Sequence, residues 1–70
     1  ISYVNNISWS PDGSKVATAS SDGTSKIWDS SNGQLLFTLN GHTSVVRNIN
    51  WSPDGNKVAT SSDDYTGKIW

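Results

Sequence analysis

A histidine, a hydroxyl and a carboxylate lie between positions 42 and 64. His42, Thr60 or Ser62, and Asp64 are the residue types of a hydrolase triad. In a triad a ring nitrogen takes the proton of a hydroxyl nucleophile while the acid orients the ring. Neither an oxyanion-hole motif nor a nucleophile elbow accompanies them, so catalysis is not expected. Asp12, Asp54, Asp63 and Asp64 invite a calcium reading. The D-x-D-x-D-G spacing of a calcium loop is absent, and the pairs Asp12-Gly13 and Asp54-Gly55 fit hairpin turns instead. With one histidine and no cysteine, a protein-only zinc site has too few ligands. No cofactor or metal is expected. Trp9, Trp28, Trp51 and Trp70 could form a stacking platform or an aromatic cage, but they have few basic neighbours and recur inside strand patterns. Packing is the expected use of their rings. The sequons Asn6-Ile7-Ser8 and Asn50-Trp51-Ser52 also fall in strand patterns, and nothing resembles a secretory signal.

The elements that hold these residues must be short. The chain has 70 residues, and a unit of that size buries only about 60% of the surface its unfolded form exposes. Without disulfides or metal, it needs oligomerisation or a longer chain to complete its core. Glu and Met are absent, while Ser, Thr and Asn make up 26 of the residues, which disfavours helices. Five Lys and Arg against six Asp leave a net charge of −1, too weak a field for nucleic acid or an anionic membrane. Neither partner is expected. The lack of cysteine is compatible with the cytoplasm, which is the expected location.

Self-comparison organises the rest. At an offset of 42, residues 1–28 fall on residues 43–70 without a gap, and 19 of the 28 pairs are identical. W-S-P-D-G occurs at 9–13 and 51–55, and K-V-A-T at 15–18 and 57–60. Within the unit the period is two. Ile7 and Trp9 alternate with Asn6 and Ser8, as Ile49 and Trp51 alternate with Asn48 and Asn50. Strands are therefore expected through Ile7 and Trp9, at 15–20, 24–28 and 34–39, and again through Ile49 and Trp51, the inner strands to which the resemblance described below gives the bounds 4–9 and 46–51. Pro11-Asp12-Gly13, Ser21-Asp22-Gly23 and Asn32-Gly33 supply the turns between them. Four short antiparallel strands make a small sheet with apolar residues on both faces and two open edges, and radial stacking covers such faces. Gln34–Leu39 is uncharged and free of proline, the composition of an edge strand prone to pair with other chains.

Gly41-His42, the W-S-P-D-G turns, the S-x-D-x-T-x-K-I-W segments and Trp28-Asp29, taken in this order, resemble the WD-repeat (Trp-Asp repeat) β-propeller family over the whole chain. The resemblance implies an all-β fold: β-propeller blades of four antiparallel strands, seven strands in this chain, closed only in a longer chain or an oligomer. Residues 1–40 would be the first blade, and residues 41–70 a second blade lacking its outer strand. Ile1 follows the place where a first Gly-His would sit, so the chain reads as about one and two-thirds repeats.

The same resemblance turns the apparent triad into a structural hydrogen-bond network. It would comprise His42, Thr60, Asp64 and Trp70 in the second blade, and Thr18, Asp22 and Trp28 in the first. It also implies that three positions per blade face the binding rim: Tyr3, Asn5 and Ser21, and Val45, Arg47 and Asp63. All three pairs fall among the nine mismatches between the copies. Arg47 and Tyr3 have the residue types most often found at hot spots. The expected function is a non-catalytic protein–protein interaction scaffold, with protein partners and with other blades in cis or copies of itself in trans. The alternative is a self-assembling minimal propeller or an edge-strand, fibrillar assembly.

Overall fold

In both copies the apolar residues alternate with polar ones over five or six positions, and Gly-containing turns interrupt them. A chain so patterned folds back on itself as a meander. The computed structural model of the protein describes residues 3–70 and contains seven strands: β1 (Val4–Trp9), β2 (Lys15–Ser20), β3 (Ser25–Asp29), β4 (Leu35–Leu39), β5 (Val46–Trp51), β6 (Val58–Ser62) and β7 (Gly67–Ile69). They form an antiparallel four-stranded sheet in the order β1-β2-β3-β4 and a three-stranded sheet β5-β6-β7. These sheets correspond to the two blades that the resemblance implies, one of four strands and one of three, and among the described residues they do not close a ring. Position 1 of the offset comparison, Ile1, lies outside the described residues.

The repeat extends to the register. Ile7 pairs with Thr18 and Trp9 with Val16, just as Ile49 pairs with Thr60 and Trp51 with Val58. Each inner strand carries an irregularity at the same place, between Val4 and Asn6 and between Val46 and Asn48. The third strand begins one residue later than its pattern suggests, because Thr24 belongs to the turn: its amide and hydroxyl both donate to Asp22. In the second blade β7 is shorter than β3. It starts at a glycine, Gly67, and pairs only with β6.

Directly opposed residues share a face, so each sheet has two distinct sides. One side of the first blade presents Ile7, Trp9, Val16 and Thr18, and the other presents Ala17, Ala19, Ser25 and Ile27. The second side is the one covered. Ala17, Ala19 and Ile27 join Val46, Ile49 and Val58 of the second blade in a single buried cluster, against which Leu39, Trp51 and Trp70 pack. Ile49 and Val46 are fully buried, and burial of each such side chain is worth about 1.5–3 kcal/mol. The inner strands β1 and β5 meet at the edge of this interface, where the Asn6 side-chain amide donates to Asn48 Oδ1 and the Trp51 indole N–H to the Ser8 carbonyl at 3.0 Å.

Tyr65 is the one non-glycine residue described with a left-handed backbone, at φ 70°. It replaces Gly23, whose φ is +87° and whose missing Cβ leaves room for the carbonyl oxygens of His42 and Ser44. Left-handed backbone costs a residue with a Cβ about 1–2 kcal/mol. The Tyr65 ring is fully exposed and offsets none of this by packing. Tyr65→Gly is therefore expected to raise stability by up to about 1 kcal/mol, after allowing for the larger unfolded-state entropy of glycine. A shift of the urea midpoint to higher concentration at unchanged slope would show it.

Candidate functional site

The second blade brings four of the residues singled out above into one chain of hydrogen bonds. Gly41 delivers His42 into the sheet, and a Cβ at Gly41 would stand 2.9 Å from the Trp70 ring, so only glycine permits this entry. His42 places Nδ1 2.9 Å from Asp64 Oδ2 and Nε2 2.7 Å from Thr60 Oγ1. The Trp70 indole N–H donates to the same Thr60 oxygen at 3.0 Å. The rings of His42 and Trp70 meet edge to face, with centroids 6.4 Å apart. Every group is satisfied when the ring proton sits on Nδ1, Asp64 accepts it, and the Thr60 hydroxyl donates to Nε2 while accepting from Trp70.

This geometry does not suit a nucleophile. Thr60 is buried, its oxygen serves two partners, and the histidine side chain is 1% exposed, so no substrate atom can approach. Ser62, the other hydroxyl of the apparent triad, donates instead to the Val45 carbonyl at 2.9 Å. In the first blade the Trp28 indole N–H donates to Thr18 Oγ1 at 3.2 Å, and Asp22 holds the turn through Thr24.

The remaining carboxylates are turn acceptors as well. Asp12 accepts from the Ser10 hydroxyl and from the amide and hydroxyl of Ser14, all within 2.9 Å. Asp54 does the same with Ser52 and Asn56, and Asp29 with Ser31. The amide of Ser14 and then its hydroxyl lower the Asp12 carboxyl to about 2. The Thr66 hydroxyl, ahead of His42 and the Thr43 amide, holds Asp64 well below the usual carboxylate range. Asp29 and Asp54 are lowered first by serine hydroxyls, and Asp63 by Arg47.

A carboxyl depressed in the folded state binds fewer protons there than in the unfolded chain. Its stabilisation is complete above the unfolded value and is lost as pH falls toward the folded one. With five of the carboxyls shifted the same way, thermal melting is expected to move steadily to lower temperature below about pH 5. A melting temperature unchanged between neutral pH and pH 3 would contradict this assignment. Among the described residues, no group of three or more His or Asp side chains could hold a metal ion.

The rim candidates come together in two pairs. In the first blade the Asn5 side-chain amide donates to Ser21 Oγ at 3.1 Å, and the Ser21 amide donates to the Tyr3 carbonyl. In the second blade Arg47 grips Asp63 side-on, with Nε 3.0 Å and Nη2 2.7 Å from Oδ2, and the Asp63 amide donates to the Val45 carbonyl. Hydrogen bonding to Asp63 in turn raises the Arg47 guanidinium further above its ordinary value. The two rims touch where Asn5 Nδ2 reaches the Val46 carbonyl, 3.2 Å away. The repeat comparison did not anticipate this pairing: the mismatches Asn5/Arg47 and Ser21/Asp63 are one coupled exchange, of a neutral pair for an ion pair.

Not every tryptophan packs as its position in the repeat suggests. Trp51 and Trp70 lie against the inter-blade cluster, whereas Trp9 is 61% exposed. The difference is one of neighbours, because no second sheet among the described residues lies against the Trp9 side of the first.

The family model "WD domain, G-beta repeat" matches residues 2–29 and 33–70. The chain belongs to the WD-repeat family. Human WD repeat-containing protein 86 is 44% identical to this WD-repeat chain over 43 residues, 61% of the chain and 11% of that protein. The human U5 small nuclear ribonucleoprotein 40 kDa protein is 44% identical over 39 residues, covering 56% of the chain and 11% of its own length. The small ribosomal subunit protein RACK1 of Caenorhabditis elegans is 45% identical over 40 residues, covering 57% and 12%. The WD-repeat chain thus spans about a ninth of the length of these relatives. WD repeats in general form protein–protein interaction scaffolds, and the family is generally non-catalytic.

Proposed function

We propose that this chain displays the rim residues Tyr3, Asn5, Ser21, Val45, Arg47 and Asp63 to a protein partner and performs no catalysis itself. The observation that carries this reading is the continuity of the rim. Tyr3, 69% exposed, stands beside the Asn5–Ser21 pair, which Asn5 ties to the backbone below Arg47 and Asp63. The strands behind these residues are hydrogen-bonded to their neighbours, which reduces the conformational entropy lost when the rim is engaged. Tyr3 offers an aromatic surface and Arg47–Asp63 a charged one, which suits a peptide or loop carrying both apolar and polar side chains.

Affinity purification with the unmodified chain, Tyr3→Ala and Arg47→Ala in parallel tests this. A hot-spot residue contributes about 2 kcal/mol or more, so each variant is expected to weaken capture of a genuine partner about 30-fold. Equal recovery of every co-purifying protein with all three baits would rule out the rim as the contact surface.

A further inference from the structure

Five of the six glycines follow an asparagine or an aspartate: Gly13, Gly23, Gly33, Gly41 and Gly55. A glycine nitrogen in that place can reach the side-chain carbonyl carbon of the residue before it, because no Cβ stands in the way. Four of the five nitrogens are already engaged. Gly13 and Gly55 donate to the carbonyls of Ser10 and Ser52 at 2.9 Å, Gly33 to that of Asp29 at 2.8 Å, and Gly23 to that of Ser20 at 3.3 Å. The Gly41 amide alone has no acceptor among the described residues.

The carbonyl carbons divide in the same way. Asp12, Asp22 and Asp54 accept hydrogen bonds within their turns, and an ionised carboxylate resists a nucleophile. Asn32 carries the more reactive carboxamide, but its Oδ1 accepts from the Gln34 amide at 2.8 Å, which fixes the side chain in the turn. The Asn40 side chain is exposed and has no hydrogen-bond partner among the described residues. The remaining asparagines precede residues with a side chain, and Asn5, Asn6, Asn48 and Asn50 lie in β1 and β5.

We propose that Asn40 is a modification site, at which the Gly41 nitrogen displaces ammonia from the Asn40 carboxamide and water opens the resulting ring. The nitrogen loses its proton and bonds to Asn40 Cγ. Ammonia leaves with that proton, and a cyclic succinimide closes. Water then adds to either ring carbonyl. Addition at Cγ gives aspartate in the ordinary backbone. Addition at the main-chain carbonyl carbon gives isoaspartate, whose backbone runs through Cβ and Cγ and is longer by a methylene. Nothing is oxidised or reduced, and water is the only co-reactant.

The position gives this reaction a consequence. Asn40 and Gly41 link β4 to His42, and Gly41 lies so close to Trp70 that a Cβ would stand 2.9 Å from its ring. A methylene inserted here displaces His42 from Asp64 and Thr60, which it meets at 2.9 and 2.7 Å. Hydrogen bonds of that length weaken steeply once they are misaligned. The isoaspartyl form therefore loses the hydrogen-bond chain through His42, whereas the aspartyl form keeps it.

Peptide mapping by mass spectrometry, after the full chain is aged at mildly alkaline pH, tests the proposal. Asn40 is expected to convert about tenfold faster than Asn32, because Asn32 must first give up two hydrogen bonds. In concentrated guanidinium the two are expected to react at nearly the same rate, since both then precede a free glycine amide. Asn32 matching Asn40 without denaturant, or an Asn40 that does not convert, would overturn the site. The aged isoaspartyl form and Asn40→Asp together test the consequence. The Trp70 indole N–H resonance is expected to shift in the isoaspartyl form and to stay in place in Asn40→Asp. An unmoved resonance in the isoaspartyl form, or the same shift in both, would overturn the link to His42. Asn40→Gln, whose longer side chain closes a ring far more slowly, is expected to age with its indole resonance unchanged. The rim residues take no part, so the outcome is independent of whether Tyr3 and Arg47 bind a partner.

Discussion

Ile49→Ala is expected to remove most of the stability that joins the two blades, while Ile7→Ala at the equivalent position leaves the single chain nearly unchanged. The two isoleucines each follow an asparagine, occupy equivalent strands and lie in register opposite a threonine. They differ in coverage: Ile49 is 0% exposed and Ile7 60%. Truncating a buried isoleucine costs about 2–5 kcal/mol, because the lost transfer free energy is joined by a cavity that the surroundings fill only partly. An exposed position stays within about 0.5 kcal/mol. A chain of this size has roughly 3.5–10 kcal/mol in total, so the Ile49 variant loses a third of it or more. Urea unfolding under dilute conditions checks the contrast. Near-equal losses for the two variants would mean that both faces are covered.

Thr60→Val is the second large effect. Valine matches threonine in shape but offers His42 Nε2 no donor and Trp70 Nε1 no acceptor. Both groups sit where water is largely excluded, beside a histidine side chain that is 1% exposed. An unsatisfied buried polar group costs about 1–3 kcal/mol, so two of them bring the loss to about 2–6 kcal/mol. Thr18→Val breaks the Trp28 bond and a long one of 3.5 Å to the Lys26 carbonyl, at a half-buried site that water can reach, and is expected to cost under about 1 kcal/mol. Denaturant midpoints for the two variants, with the indole N–H resonances as a local probe, would separate them. If Thr60→Val were as mild as Thr18→Val, the hydrogen-bond chain through His42 would carry no net stability.

Much of the fold could be read from local chemistry. The inner strands fall at 4–9 and 46–51 and the second strand at 15–20, because two-residue alternation and Gly-bearing turns act within a few positions of one another. Even the turn acids are legible in this way: Asp12 bonds Ser10 and Ser14, both two residues away. The hydrogen bonds of His42 were harder to read. They span 18 and 22 residues, so only the resemblance to a known repeat, and no spacing rule, pointed to Thr60 and Asp64. The rim pairing was invisible for the same reason. Asn5 and Ser21 are 16 residues apart, as are Arg47 and Asp63, and nothing in the one-dimensional comparison shows that they exchange together.

The sequence by itself determined the unit: which residues form strands, which turn, which alternate sides, and that the pattern recurs after 42 positions. It assigned Trp9 and Trp51, or Ile7 and Ile49, the same role, because their local surroundings are the same. Only the tertiary structure decided that Trp51 and Ile49 pack against a neighbouring blade while Trp9 and Ile7 face outward beside no other sheet. Secondary structure is set by forces that reach a few residues along the chain. Burial is set by whatever surface lies across the face, and equivalent residues of two similar repeats acquire different energies when only one of them has a sheet in front of it.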